Sequence, residues 1–171
     1  MNKDVLAAAK ALLDICRARN IKIATAESCT GGLVVGALTE IPGSSDVVDR
    51  GFVTYSNDAK FEMLGVSGDI LDTHGAVSRE TAEAMARGAL RKAHADIVVA
   101  ITGIAGPGGG SRAKPVGLVH FAAASSIGQG KLIHAAKRYG DIGREAVRHK
   151  SVLQALDMLH QLVAPAAKVR S

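Results

Sequence analysis

The chain has 171 residues, of which 47% are apolar and only 3% aromatic, and its formal net charge is +5. This length and composition predict one folded domain with an aliphatic core and exclude a disordered chain. The scarcity of aromatic rings argues against a surface that binds single strands by base stacking. Two cysteines, Cys16 and Cys29, are too few for a disulfide framework and favour a reducing cytoplasm. No run approaches the roughly 18 apolar residues of a membrane span.

The predicted elements follow from the spacing of apolar residues and from the turn residues between them. In chain order they are a helix at 3–18, a strand at 21–26, a helix at 33–41, a strand or strand pair at 46–56, a helix at 57–65, a helix at 78–93, a buried strand at 95–103, strands at 117–125 and 131–139, and a helix at 143–163. Asn57 and Gly65 are the predicted caps of the fifth element, and Ser78 is the predicted start of the sixth.

The order of these elements predicts the fold class. Helices and strands alternate early, and a hairpin comes late, at 117–139. We therefore expect a single domain over 1–171, a three-layer α/β/α sandwich with a mixed sheet and helices on both faces. The tail from Pro165 is expected to be frayed.

The stretch TAESCTGG (25–32) places Ser28, Cys29 and Thr30 side by side between a predicted strand and a predicted helix. A nucleophile at a helix start gains backbone N–H donors for an oxyanion and a favourable helix dipole. Alternatively, Ser28 or Thr30 only caps the helix, and the spacing does not decide between these interpretations. Cys29 is a rival nucleophile, because a helix start also activates a thiol.

A serine nucleophile needs a base, and the six histidines are scattered along the chain without metal-ligand spacing. We therefore predict no metal site and consider a lysine, which is a base only when burial or nearby positive charge lowers its pKa. The segment TYSNDAK supplies Tyr55 and Lys60 after the strand that follows Ser28. Neighbouring strand ends converge in an α/β sheet, so Lys60 can meet Ser28. An exposed lysine without a role is the alternative.

Two further segments suit an anionic ligand. The loop GIAGPGGGSRAKPVG (103–117) follows a buried strand and is not a Walker A motif, yet backbone N–H groups at Thr102 and Gly103 suit contact with an anion. Arg144 and Arg148 lie one turn apart on the last helix and can clamp a phosphate. The alternative is a basic first turn without a ligand.

The positive charge is concentrated near these arginines. Residues 1–130 hold 13 basic and 13 acidic residues, whereas residues 131–171 hold 8 basic and 3 acidic residues, a difference of +5. Such a segment fits nucleic acid, a small phosphorylated ligand or simply a solvated helix face.

Together, TAESCTGG, RGFVTYSNDAK, GAVSRETAEAMARGA, ITGIAGPGGG with KPVGLV, and GD…REAVR resemble the CinA C-terminal domain family over about residues 20–150. The resemblance implies a metal-independent Ser/Lys amidohydrolase of pyridine nucleotide salvage, without a cofactor. Its reaction converts nicotinamide mononucleotide and water to nicotinic acid mononucleotide and ammonia. It implies Ser28 as nucleophile, Lys60 as base and Tyr55 as their supporting residue.

The resemblance also implies the binding residues. Thr102 and Gly103 are expected to contact the substrate, and Arg144 or Arg148 its phosphate. Ile142 and Gly143 lie between Asp141 and Arg144, like a two-residue insertion in the family's motif. Thr30 and Gly31 are further predicted substrate contacts, and the amides at the start of the 33–41 helix are the expected oxyanion donors.

Two expectations concern partners. A homo-oligomer is expected from the amphipathic last helix and the aliphatic composition, whereas membrane and nucleic acid are not expected partners. The alternative function is a competence or DNA-damage accessory protein that binds DNA or protein without catalysis, for which the basic segment 131–171 is the support.

Overall fold

A computed structural model describes residues 1–164 as a five-stranded sheet with helices on both faces. Its helices are α1 (Lys3–Ala18), α2 (Leu33–Thr39), α3 (Asn57–Leu64), α4 (Gly68–His74), α5 (Arg79–Lys92) and α6 (Arg144–Val163), and its strands are β1 (Ile23–Glu27), β2 (Val48–Val53), β3 (Ile97–Gly103), β4 (Leu118–Ser125) and β5 (Lys131–Arg138). The predicted frayed tail from Pro165 lies outside the described residues.

The sheet is mixed, with strand order β2-β1-β3-β4-β5. Strand β1 runs parallel to β2 and β3, whereas β4 runs antiparallel to β3 and β5. The predicted α/β/α sandwich and the predicted β4–β5 hairpin are therefore confirmed.

Alternating side chains of the sheet fill two cores. On β3, Ile97, Val99 and Ile101 pack with α1, α2 and α6, whereas Val98 and Ala100 pack with α3, α4 and α5, as the period of two along a strand requires. The second face of the sheet is largely alanine: Ala24, Ala26, Ala100, Ala122 and Ala124. Such small side chains let α5 lie close to the sheet.

The first helix follows its predicted pattern. Val5, Ala9, Leu12, Leu13 and Cys16 of α1 are buried against the sheet, and the Cys16 thiol is free. This stripe matches the spacing of an amphipathic helix.

Two predicted elements are too long. Helix α2 ends at Thr39 rather than residue 41, because Pro42 disfavours helical backbone at the residue before it. Strand β2 covers Val48–Val53 rather than 46–56. A single 3₁₀ turn at Ser44–Asp46 occupies the chain just before it.

Side-chain caps explain where the short helices begin. The Ser56 hydroxyl accepts a hydrogen bond from Ala59 N at 3.0 Å, so Ser56 rather than Asn57 is the N-cap of α3, and the prediction of Asn57 was wrong. The predicted caps Gly65 and Ser78 are confirmed. Helix α4 was not predicted, because it is short and buries only Leu71, which leaves no apolar periodicity to detect.

Candidate active site

Three parallel strands end at one edge of the sheet, and the chain segments that follow them meet there. Glu27, the last residue of β1, lies in register with Val53 of β2 and Ile101 of β3. Ligands of α/β proteins bind at such an edge, beyond the carboxyl ends of the strands. A cavity of about 230 Å³ lies at this position. Predicted site residues that line it are Ser28, Tyr55, Lys60, Thr102, Gly103 and Arg144.

Ser28 and Lys60 are in direct contact at the base of the cavity. Lys60 Nζ lies 3.1 Å from Ser28 Oγ and donates a further hydrogen bond to Thr54 O at 3.0 Å. Lys60 is 1% exposed, and no carboxylate of residues 1–164 forms an ion pair with it. Burial therefore lowers the pKa of Lys60. A neutral amine at this distance can take the proton of the serine hydroxyl.

Backbone contacts hold the nucleophile turn, which we define as residues 28–32. Ser28 N donates to Ile101 O at 2.9 Å, and Gly31 N donates to Ser28 O at 3.0 Å. Gly31 and Gly32 both have positive φ, 59° and 96°, which glycine adopts at little cost. The turn is thus anchored to the end of β3.

The start of α2 is held by Glu27. The Glu27 carboxylate is fully buried, and its Oε2 accepts from Gly32 N and Val34 N, both at 3.0 Å. Its Oε1 accepts from Val35 N at 2.9 Å and from the Thr25 hydroxyl at 3.1 Å. A buried carboxylate is a strong acceptor and is favoured by the positive end of the helix dipole.

The role of Glu27 corrects two expectations. Gly32, not Ser28 or Thr30, is the N-cap residue of α2, and no side chain at the cap position caps it. Because Glu27 occupies the first amides, the prediction that the start of this helix holds an oxyanion was wrong. The sequence carried a signal for this, a carboxylate just before a helix start, which sequence reasoning missed.

Cys29 is poorly suited as a nucleophile. Its side chain is 6% exposed, and burial raises the pKa of its thiol to about 12. The thiol is therefore protonated at neutral pH, whereas the nucleophilic form of cysteine is the thiolate. The helix-start amides that would have activated Cys29 are bonded to Glu27 instead.

Tyr55 lies at the mouth of the cavity, 60% exposed, and contacts an arginine rather than Lys60. Its hydroxyl accepts a hydrogen bond from Arg144 Nη2 at 2.9 Å, and Arg144 Nη1 donates to Gly106 O at 3.0 Å. Lys60 contacts Ser28, Thr54 and Ser56. Arg144 thereby connects α6 with Tyr55 and with the glycine-rich loop, residues 103–117.

Arg148 of α6 binds the backbone of the nucleophile turn on a side that does not line the 230 Å³ cavity. Its guanidinium donates to Cys29 O at 3.2 Å and to Thr30 O at 3.1 Å. Thr30 is fully buried. The structure does not bring Thr30, Gly31 or Arg148 to the wall of the 230 Å³ cavity.

Thr102 and Gly103 form one wall of the cavity. The Thr102 hydroxyl donates to Ala76 O at 2.7 Å. A Cβ at Gly103 would lie 2.7 Å from Val119 Cγ2 and 2.8 Å from Leu118 O. Strand β4 thus leaves no room for a side chain at this position.

A larger cavity of about 530 Å³ lies between the start of α1 and α6. It shares Arg144 with the smaller cavity, but its floor is apolar, formed by Val5, Leu33 and Val152. Neither Ser28 nor Lys60 lines this larger cavity.

Residues 1–164 contain neither a candidate metal-ligand cluster nor a helix suited to span a membrane. In this range no three His, Cys, Asp or Glu side chains are grouped to hold a metal ion. None of the helices described there has the length and apolar character that crossing a membrane requires.

Residues 6–163 match the family model of the CinA C-terminal domain. The chain belongs to the CinA C-terminal domain family. Among curated relatives of the family, nicotinamide-nucleotide amidohydrolase PncC of Escherichia coli is 50% identical over 145 residues, covering 85% of this chain and 86% of that protein. A CinA-like protein of a Synechococcus species is 51% identical over 152 residues, covering 88% of this chain but 36% of that protein. The chain thus spans about a quarter to a third of the length of several relatives it matches.

Solved CinA structures have the same fold. The competence/damage inducible protein CihA of Agrobacterium tumefaciens is 54% identical with a TM-score of 0.93, covering 95% of this chain and 97% of that one. A CinA superfamily protein of Escherichia coli is 35% identical with a TM-score of 0.87, covering 95% and 92%.

Proposed function

We propose that this CinA-family chain is a nicotinamide-nucleotide amidohydrolase that converts nicotinamide mononucleotide to nicotinic acid mononucleotide and ammonia. The observation that carries the proposal is the 3.1 Å contact between Ser28 Oγ and the buried amine of Lys60. The name of the Escherichia coli relative supports the substrate class. A role in pyridine nucleotide salvage follows from that reaction.

The proposed chemistry begins with proton transfer. Neutral Lys60 takes the proton of Ser28, and the serine oxygen attacks the carboxamide carbon of the substrate. The tetrahedral intermediate collapses as the amine leaves, taking a proton from the Lys60 ammonium directly or through the Tyr55 hydroxyl. Ammonia departs, and a nicotinoyl ester on Ser28 remains.

Water completes the cycle. Lys60, neutral again, takes a proton from a water molecule that attacks the ester carbonyl, and Ser28 leaves with that proton restored. The product carries a carboxylate where the substrate carried a carboxamide. Because Ser28 and Lys60 supply the nucleophile and the base, we propose a reaction that needs no metal ion and no cofactor.

Arg144 is the favoured contact for the substrate phosphate. It lines the cavity, and its hydrogen bonds go to the neutral oxygens of Tyr55 and Gly106. Within residues 1–164, neither Arg144 nor Arg148 forms an ion pair. Arg148 is engaged by Cys29 and Thr30 carbonyls, which favours Arg144. Thr102 and Gly103 are the proposed neighbours of the pyridine ring.

The test is release of ammonia from nicotinamide mononucleotide, run beside nicotinamide riboside and the full dinucleotide. We expect turnover of the mononucleotide, and we expect Ser28→Ala to lower kcat by about 10³-fold or more, because the nucleophile is lost. Ser45→Ala is the matched control, since Ser45 is exposed in the turn before β2. Near-parental ammonia release by folded Ser28→Ala would refute the nucleophile assignment.

The accessory-protein alternative gains no specific support. Of its basic residues, Arg144 and Arg148 contact the cavity mouth and the nucleophile turn. Nucleic-acid or protein binding by the segment 131–171 stays a prediction from charge alone, and a steep salt dependence of duplex binding would support it.

A further inference from the structure

One polar side chain in the cavity has no part in the mechanism above. Asn57 lines the cavity together with Ser28 and Lys60, and it is the first residue of α3. The cap of α3 is supplied by Ser56, through its contact with Ala59 N. The Asn57 amide is therefore not needed as a cap; the residue is exposed, and its side chain makes no hydrogen bond to another residue of the range 1–164.

An oxyanion on the substrate would need hydrogen-bond donors in the cavity, and several polar groups near Ser28 already make hydrogen bonds within the protein. The Thr102 hydroxyl donates to Ala76 O, and Arg144 donates to the Tyr55 hydroxyl. The first amides of α2 are bonded to Glu27. The Asn57 side chain is a further donor at the wall of the cavity, and it takes part in none of these hydrogen bonds.

The position of Asn57 on α3 suits this requirement. Asn57 and Lys60 are three residues apart, so their side chains are neighbours on the same face of the helix. Lys60 Nζ in turn lies 3.1 Å from Ser28 Oγ. Asn57 is thus an exposed residue on the wall of the cavity that Ser28 and Lys60 also line.

The chemistry of the side chain matches the substrate group. A side-chain amide offers two N–H donors and a carbonyl acceptor, and a primary carboxamide offers the complementary set. An asparagine N–H is also a group that enzymes use to stabilise an oxyanion in acyl transfer.

We propose that Asn57 contacts the substrate carboxamide, donating from Nδ2 to its oxygen as negative charge develops there. Its Oδ1 accepts from the departing nitrogen, which selects a carboxamide. No bond forms on Asn57, and the proton still passes from Ser28 to Lys60 and on to ammonia. The role rests on the amidohydrolase function proposed above.

The test measures ammonia release from nicotinamide mononucleotide by Asn57→Ala and Asn57→Asp. Both changes remove the donors while keeping a residue tolerated in the first turn of a helix. We expect kcat to fall by about 10²- to 10³-fold, the usual loss for one oxyanion donor, with KM within about threefold. Asp58→Asn is the matched control, since Asp58 is exposed and does not line the cavity; its kcat should be unchanged.

The pH profile separates loss of the donor from added charge. A carboxylate at position 57 stabilises the Lys60 ammonium, so Asn57→Asp should shift the activity profile to higher pH, whereas Asn57→Ala should leave its position unchanged. Thermal unfolding of each variant checks that the fold is retained.

Each outcome bears on a different claim. If the parent chain turns over and both Asn57 variants keep its kcat, the role of Asn57 is overturned while the amidohydrolase function stands. A rise in KM alone would overturn the oxyanion role and assign Asn57 to another part of the substrate. If the parent chain releases no ammonia from the mononucleotide, the proposed function fails and this role fails with it.

Discussion

At the scale of single residues, the site depends on a lysine that is buried at a cost to stability. Lys60 is 1% exposed and has neutral hydrogen-bond partners, namely Ser28, Thr54 and Ser56. Burial without a counter-charge disfavours the ammonium form. The same burial that lowers the pKa of Lys60 makes its neutral amine form more accessible than that of an exposed lysine.

Lys60→Met should separate stability from activity. The folded chain binds fewer protons at Lys60 than the unfolded chain between the lowered pKa and the usual value of 10.5. The unfolding free energy of the parent chain therefore rises with pH across that interval. At pH values below the interval, the buried lysine lowers this free energy by its full amount. We expect Lys60→Met to raise the unfolding free energy at pH 7, with the gain shrinking toward pH 10.5, and to lower kcat by about 10³-fold or more.

Denaturant unfolding at several pH values and the ammonia assay measure these effects. Lys3→Met is the control, because Lys3 is exposed at the start of α1. A Lys60→Met variant less stable than the parent at pH 7 would mean that the lysine's hydrogen bonds outweigh its burial cost.

At the scale of elements, the nucleophile turn is held from two sides. Glu27 binds the first amides of α2, and Arg148 of α6 binds the carbonyls of Cys29 and Thr30. The close approach of α3 and α5 adds a further constraint, since a Cβ at Gly88 would lie 2.0 Å from Leu64 O. The position of Ser28 thus depends on contacts made by several elements.

Glu27→Gln should weaken both the fold and the site. A glutamine places N–H donors against at least one of the amides of Gly32, Val34 and Val35, leaving a buried donor unsatisfied. We expect a loss of about 1–3 kcal/mol in unfolding free energy. We also expect kcat to fall by about tenfold or more, because small displacements of reacting groups slow catalysis strongly.

The matched control is Glu40→Gln, at the exposed end of the same helix. Chemical denaturation and the ammonia assay give the two readouts. Parental stability of Glu27→Gln would contradict the capping role of the carboxylate.

At the scale of the whole molecule, a histidine pair joins the last two strands of the sheet. His120 Nδ1 and His134 Nε2 lie 3.0 Å apart, and the rings stack with centroids 5.3 Å apart. Charged groups near the pair include Arg79, Glu80 and Glu83 of α5, Lys114 of the glycine-rich loop and Arg138 of β5. Burial, followed by neighbouring positive charge, lowers the pKa of both imidazoles from 6.5.

This pair should make the protein sensitive to acid. Because its imidazoles bind fewer protons folded than unfolded, unfolding free energy should fall as pH drops below about 6.5. We expect His134→Gln to lose less stability than the parent between pH 7.5 and 5, and His94→Gln, an exposed control, to follow the parent. Thermal unfolding across this range is the measurement, and parallel curves for parent and His134→Gln would refute the prediction.

The sequence by itself determined the order of the main elements, the mixed sheet and the candidate pair Ser28 and Lys60. Periodicity, caps and turn residues are local signals, so α1, α5 and the β4–β5 hairpin could be predicted from them. Family motifs supplied the roles. The short helix α4 was not predicted, because a single buried side chain gives no apolar periodicity. Oligomeric state stays a prediction.

Tertiary structure decided which polar groups remain free for a substrate. Arg148 reaches Cys29 O across 119 residues of chain, and Glu27 takes the amides that the sequence had suggested for an oxyanion. A backbone N–H that is bonded to an acceptor within the protein is not available to a substrate. Which acceptor each N–H meets depends on how distant elements pack. The sequence could therefore propose the reacting residues, but only the packed fold shows which of their neighbours are already bonded.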